Sequence, residues 1–178
     1  MSSLQRTNLR RVIIIGAPGS GKSTFAAALA ARLNLPLVHL DQLWWEPGWE
    51  TVTPKVFRQR CQDVIKQEAW AIDGTYSNTF DLRMPAADRI IWFDRSRITC
   101  LWRVLKRTLT TYGTVRPDMA DGCPERLDWA FLRYVWSFNA THRPRILAAL
   151  DAYDAHGRTR IIRSDKDAKL VLDELAAD

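Results

Sequence analysis

The segment Gly16-Ala17-Pro18-Gly19-Ser20-Gly21-Lys22-Ser23 fits the pattern G-x-x-x-x-G-K-[ST] in full, and it lies between an apolar run at residues 12–15 and a stretch of helical period containing Phe25, Ala26 and Leu29. A strand, a glycine-rich turn and a helix in that order make successive backbone N–H groups converge, with the positive end of the helix behind them. Such a point suits phosphate oxygens. Lys22 is placed to reach β- and γ-phosphates, the Ser23 hydroxyl to ligate Mg²⁺, and Thr24 to touch an α-phosphate. The expectation for residues 16–24 is a site for a nucleoside triphosphate, ATP with Mg²⁺.

The same alternation continues along the chain. Short apolar runs at 12–15, 37–40, 70–72, 90–93 and 160–162 read as strands, several of them buried on both faces. Helical periods at 22–33, 54–68, 96–112, 125–153 (broken near Pro144) and 167–176 lie between and after them. This predicts β/α units, a parallel sheet and one α/β domain over residues 1–178. Thr53 followed by Pro54 is a helix start, with Phe57, Cys61 and Val64 on its apolar face. In 96–112, Ile98, Leu101, Trp102, Leu105, Leu109 and Tyr112 form a stripe, from which Arg103 and Arg107 point away. Those two arginines either form a solvated basic face or hold an anion between them.

Composition narrows the class. At 178 residues, 47% hydrophobic and 26% charged, the chain is long enough for one core and unlike a disordered, collagenous or coiled-coil sequence. No apolar run approaches the ~20 residues of a membrane span, so a soluble cytoplasmic chain, monomer or homodimer, is expected. Cys61, Cys100 and Cys123 are widely spaced and odd in number, which predicts packing rather than disulfides or zinc. The net charge is +6, and Arg95, Arg97, Arg103, Lys106, Arg107 and Arg116 fall in a stretch without an acidic residue. That cluster suits a phosphorylated small molecule or a nucleic-acid backbone. Of eight tryptophans, Trp44, Trp45 and Trp49 crowd together beside Pro47 and Gly48, in what reads as an irregular segment.

Three of the apolar runs end in Asp: Asp41, Asp73 and Asp94. Ligands of open α/β sheets bind at the carboxyl ends of strands, so these acids face the site. Asp73, with Ser23, is the expected Mg²⁺ ligand, and Asp41 the group that orients or deprotonates an acceptor. Asp94, just before Arg95, Ser96 and Arg97, reads as a helix cap, and His39 as a hydrogen-bonded core histidine. A GTPase is excluded because Ser164-Asp165-Lys166-Asp167-Ala168 departs from [NT]-K-x-D. Motor and ABC-type ATPases need more chain or a further signature. A compact kinase remains.

Further stretches carry a resemblance: His39-Leu40-Asp41 before the tryptophan cluster, Ile72-Asp73-Gly74-Thr75-Tyr76, Ile91-Trp92-Phe93-Asp94, Trp102 to Arg107, and Arg116-Pro117-Asp118-Met119 onward to Arg126. With the glycine-rich loop, they make the chain similar, from about Arg11 to the C-terminus, to adenylate-kinase-like P-loop proteins labelled DNA-topology-modulation proteins. The resemblance implies a nucleoside-monophosphate-kinase-like fold, with a five-stranded parallel sheet in the order 2-3-1-4-5 flanked by helices. It also implies a helical lid over about 103–126 and an acceptor-side segment over about 41–84. Arg103 and Arg107 would clamp the phosphates, which would account for their lack of acidic partners, and Arg116 would join them. Asp41 stands where shikimate-type kinases hold metal or an acceptor hydroxyl. Asp73-Gly74 matches an Asp-Gly pair of adenylate kinases, whereas Thr75-Tyr76-Ser77 replaces the Phe-Pro-Arg that follows there.

The expected chemistry is ATP- and Mg²⁺-dependent phosphoryl transfer to a nucleoside monophosphate or a hydroxylated metabolite, with Lys22, Asp41, Asp73, Arg103 and Arg107 as the catalytic set. Trp44, Trp45 and Trp49 form an acceptor pocket, a packed flap or a dimer surface. Arg58, Tyr76 and Arg83 are candidate acceptor contacts. The alternative is a nucleotide-gated DNA-binding regulator, supported by the basic cluster but by no helix-turn-helix spacing or zinc-finger ligands.

Overall fold

The computed structural model describes residues 9–177. In chain order its elements are β1 (Arg11–Gly16), α1 (Lys22–Leu33), β2 (Leu37–His39), α2 (Leu40–Trp44), β3 (Trp45–Glu46), β4 (Glu50–Thr51), α3 (Pro54–Ile65) and β5 (Trp70–Asp73). There follow α4 (Phe80–Ala86), β6 (Arg89–Phe93), α5 (Arg97–Thr110), α6 (Trp129–Ala152), β7 (Thr159–Ile162) and α7 (Asp165–Ala177). Five strands make one parallel sheet in the order β2-β5-β1-β6-β7, which is the expected order with β3 and β4 left out.

Side chains alternate across this sheet and divide the core into two layers. Ile13 and Ile15 of β1, with Ile72, Ile90 and Trp92, pack beneath α3, α5 and α6. Val12 and Ile14, with Ala71, Ile91 and Phe93, meet Phe25 and Leu29 of α1 and Val171 and Leu175 of α7. Because both faces are covered, β1 is apolar beyond Arg11, and residues 12–15 are fully buried. Its central place puts the glycine-rich loop at the middle of the sheet's carboxyl edge.

Five features differ from the expectation. Leu40 begins α2 instead of extending β2, so Asp41 sits on a helical turn. The tryptophan segment is ordered as an antiparallel hairpin, with Trp45 opposite Thr51 and Glu46 opposite Glu50. Helix α6 passes Pro144 without a break; Pro144 and Ala140 both face solvent, so the carbonyl freed by the proline can bond water. It starts at Trp129 because the Asp128 carboxylate accepts from the N–H groups of Ala130 and Phe131 at 2.8 and 3.1 Å. The stripe on α5 is only partly buried: Leu101 and Leu105 pack against the core, but Ile98, Trp102, Leu109 and Tyr112 are exposed, while Cys100, Val104 and Thr108 are buried.

Of the stretch expected to form a helical lid, residues 103–126, only the first part is helical. After α5 the chain runs without regular structure to Asp128 and lies on the hairpin. Gly48 N–H donates to Gly122 O at 2.9 Å, Trp49 Nε1 to Pro124 O at 3.1 Å, and Cys123 Sγ to Glu46 O at 3.2 Å. All three cysteines are free and buried, in agreement with a packing role. Among the described residues no helix is long and apolar enough to cross a membrane.

Candidate active site

The loop after β1 is built to leave donors unpaired. No side chain caps the N-terminus of α1, so the N–H groups of its first turn are open to an anion. Gly19 (φ +76°) lies so close to α5 that a Cβ there would be 2.4 Å from Cys100 O. The buried Ser20 hydroxyl has no partner. Lys22 Nζ stands 3.9 Å from Asp73 Oδ1, and His39 Nδ1 stands 2.9 Å from Asp73 Oδ2. Burial pushes the Asp73 carboxyl up, but the charge of Lys22 and the bond from His39, with Ser23 nearby, outweigh it and hold it below the ordinary range. Asp73 Oδ1 is buried and lacks a hydrogen bond. An orphaned carboxylate oxygen beside a serine hydroxyl is a donor set that fits Mg²⁺, and the uncapped loop fits a triphosphate.

The arginines are paired, contrary to the expectation that they lack acidic partners. Arg103 meets Asp165 at 2.7 Å and also donates to Ser20 O at 3.4 Å. Arg107 meets Glu125 at 3.2 Å, and Arg116 meets Glu125 and Asp118, each at 3.0 Å. Buried Glu125 also accepts from Thr108 Oγ1 at 2.8 Å. Burial, then the charge of Arg116, lowers the Arg107 pKa. These acids come from beyond the basic stretch, so no local pattern reveals them.

Asp41 Oδ1 accepts a 2.6 Å bond from the Tyr76 hydroxyl. Burial, with the Asp41 charge second, raises the Tyr76 pKa, so the phenol stays a donor. Trp44 packs edge-on against Phe57, and Trp45 against Trp49, with ring centroids 5.1 and 5.3 Å apart. One cavity of about 1170 Å³ joins the loop, Asp41, Tyr76, the three tryptophans and the three arginines. His39 lines it as well as holding Asp73, so it is not a core residue.

Five candidates lie outside the lining: Ala17, Ser20 and Asp73, buried just behind it, and Arg58 and Arg83. Arg58 donates to Asn78 O and forms a fork with Asp81, at 2.7 and 3.0 Å. Arg83 is fully buried under the chain that follows β5. Asp94 binds Arg143 instead of capping α5, whose cap is Ser96. Sequence reasoning missed the wall supplied by α6: Phe131, Tyr134, Phe138, His142 and Arg145. Their spacing of three and four is a helical row visible in the sequence, but nothing local tells what such a row faces.

The AAA domain family matches residues 11–108, more than half of the chain. No curated protein matches the sequence. Among solved structures, the chain is similar to shikimate kinase from Bacteroides thetaiotaomicron, with a TM-score of 0.57 and 15% identity over 95% of this chain and 97% of that one. Shikimate kinase from Acinetobacter baumannii in complex with shikimate gives 0.57 and 15% over 94% and 90%. A gluconokinase from Sinorhizobium meliloti gives 0.51 and 15% over 94% of each chain. At such identities the likeness establishes the fold, an α/β P-loop kinase-like one.

Proposed function

This chain belongs to the AAA domain family, and on that premise we propose that it transfers the γ-phosphoryl group of ATP, with Mg²⁺, to a small-molecule acceptor. The observation that carries the reading is that Lys22, Asp41 and three arginines line one cavity with the glycine-rich loop, and that Asp73 lies just behind its wall, 3.9 Å from Lys22 and 2.9 Å from His39. The fold shared with two shikimate kinases and a gluconokinase supports it.

The N–H groups of Gly19 and of residues 21–24, with the Lys22 ammonium, hold the phosphates. The Ser23 hydroxyl and the Asp73 carboxylate would hold Mg²⁺, which would supply neutralisation of phosphate charge. His39 fixes the Asp73 carboxylate through its 2.9 Å contact. Asp41, steadied by Tyr76, takes the proton of the acceptor. Arg103, Arg107 and Arg116 turn from, or share, their carboxylate partners to meet phosphoryl oxygens, and the tryptophan hairpin with the lid excludes water.

The DNA-binding alternative drew on the basic stretch, yet Arg95, Arg103, Arg107 and Arg116 are all held by carboxylates. This favours phosphate binding within the cavity over an open basic face. ADP release from ATP and Mg²⁺ across a panel of nucleoside monophosphates and hydroxylated acids tests the proposal. Acceptor-stimulated release is expected, with Lys22→Met lowering it by at least about 10²-fold. ATP binding without stimulation by any acceptor, together with salt-sensitive retention of DNA, would favour the regulator instead.

A further inference from the structure

Resting on that kinase reading, we infer that the acceptor is an aromatic alcohol of nucleoside size that carries an anionic group: its ring stacks between the tryptophan hairpin and α6, its hydroxyl meets Asp41, and its anion meets Arg145. Space comes first. A single ligand site spans roughly 300–1,000 Å³, and this cavity of about 1170 Å³ has the glycine-rich loop at one side, which leaves room for a second sizeable molecule.

The second argument is the surface around Asp41. Trp44, Trp45, Tyr134 and Phe138 line the cavity there from two separate parts of the chain. Tyr134 is near enough to Asp41 that the carboxylate, after burial, helps push the phenol up to about 12. Tyr134 packs edge-on to Phe138 at 5.7 Å, so these rings are held as a wall. Flat rings present faces that a planar ligand covers fully, whereas an aliphatic polyol needs a polar partner for each hydroxyl. The nearest phenol, Tyr76, is already spent on Asp41.

Charge decides the reacting group. A carboxylate at the point of transfer repels an incoming phosphate but readily accepts the proton of an alcohol. In the reaction the acceptor O–H gives its proton to Asp41 and its oxygen forms the new bond to the γ-phosphorus. The bond from that phosphorus to the β–γ bridging oxygen breaks, and its electron pair leaves on ADP. Arg145 follows His142 by one helical turn and lines the same cavity. It has no carboxylate partner among the described residues, whereas Arg107 and Arg116 share Glu125 and Arg126 lies over Trp49, 3.9 Å from Asp128.

The test measures binding without ATP, by calorimetry, and then ADP release with ATP. Its probes are thymidine 3′-monophosphate, thymidine, gluconate and shikimate. Thymidine 3′-monophosphate is expected to bind and to stimulate release. Arg145→Gln, at an exposed position, should weaken it about tenfold and leave thymidine unchanged, while Tyr134→Ala should weaken both. Binding and turnover of gluconate or shikimate with none of the thymidine compounds would overturn the inference and leave the kinase reading intact. Ring binding without ADP release would instead overturn phosphoryl transfer to that site, and equal effects of Arg145→Gln on both thymidine compounds would remove the anion contact.

Discussion

Arg83 stands behind the active site without touching it. Its guanidinium donates to the carbonyls of Gly74, Thr75 and Tyr76 at 3.0, 2.6 and 3.2 Å, and its Nε to Thr79 Oγ1 at 2.9 Å. Burial pushes its pKa down to about 10, still charged at neutral pH. The turn it ties together carries Tyr76 at φ +28°, and Tyr76 in turn holds Asp41. Arg83→Met strands those carbonyls in the core, at about 1–3 kcal/mol each when unsatisfied. We expect a melting temperature lower by about 6–12 °C for a net loss of about 3 kcal/mol, read by calorimetry. From sequence, an arginine seven positions after Tyr76 looks like an acceptor contact. The tight turn at Ser77–Thr79 that swings it inward depends on the sheet beneath, which local spacing does not encode.

At the scale of elements, the glycine-rich loop and five strands were legible because their signals are local: a motif, short apolar runs, and the residues that end them. The orientation of α5 was not. Four of the six stripe residues face solvent, while Leu101 and Leu105 pack against the core beside Cys100 and Val104, the face that lies against Gly19. Hydrophobicity alone placed the stripe too far round the helix. This close approach predicts that Gly19→Ala is severe, since the new methyl would sit 2.4 Å from Cys100 O and 2.9 Å from Val104 Cγ2. Gly48 has a similar φ, +84°, but nothing within 4 Å, so Gly48→Ala should cost only the roughly 1–2 kcal/mol of left-handed backbone. ATP titration should show at least about tenfold weaker binding for Gly19→Ala and none of that loss for Gly48→Ala. The hairpin and the α6 wall were equally hidden: each is a pattern whose meaning depends on the surface placed opposite.

Across the whole molecule, the acids that neutralise the arginines also set the response to pH. Asp73 and Asp165 both titrate below the ordinary value of 3.8, so the native state binds fewer protons than the unfolded chain. Their stabilisation is present above that value and is lost as pH falls through their native pKa values. His142 is lowered from 6.5, by burial and then by Arg145, and likewise resists protonation when folded. Stability should therefore decline first as pH drops below about 6.5 and again below about 4. Denaturant unfolding at pH 7, 5 and 3 should show both steps, with His142→Gln removing the upper one.

The three bonds between the lid and the tryptophan hairpin bear on the order of events in a catalytic cycle. Gly122, Cys123 and Pro124 fasten the segment proposed to cover the nucleotide to the hairpin proposed to wall the acceptor. On that proposal the two segments, tied along one edge, should move as a single leaf. Either molecule entering would draw the leaf toward the other's berth, so each should tighten its companion's hold, and departure of one product would unlatch both.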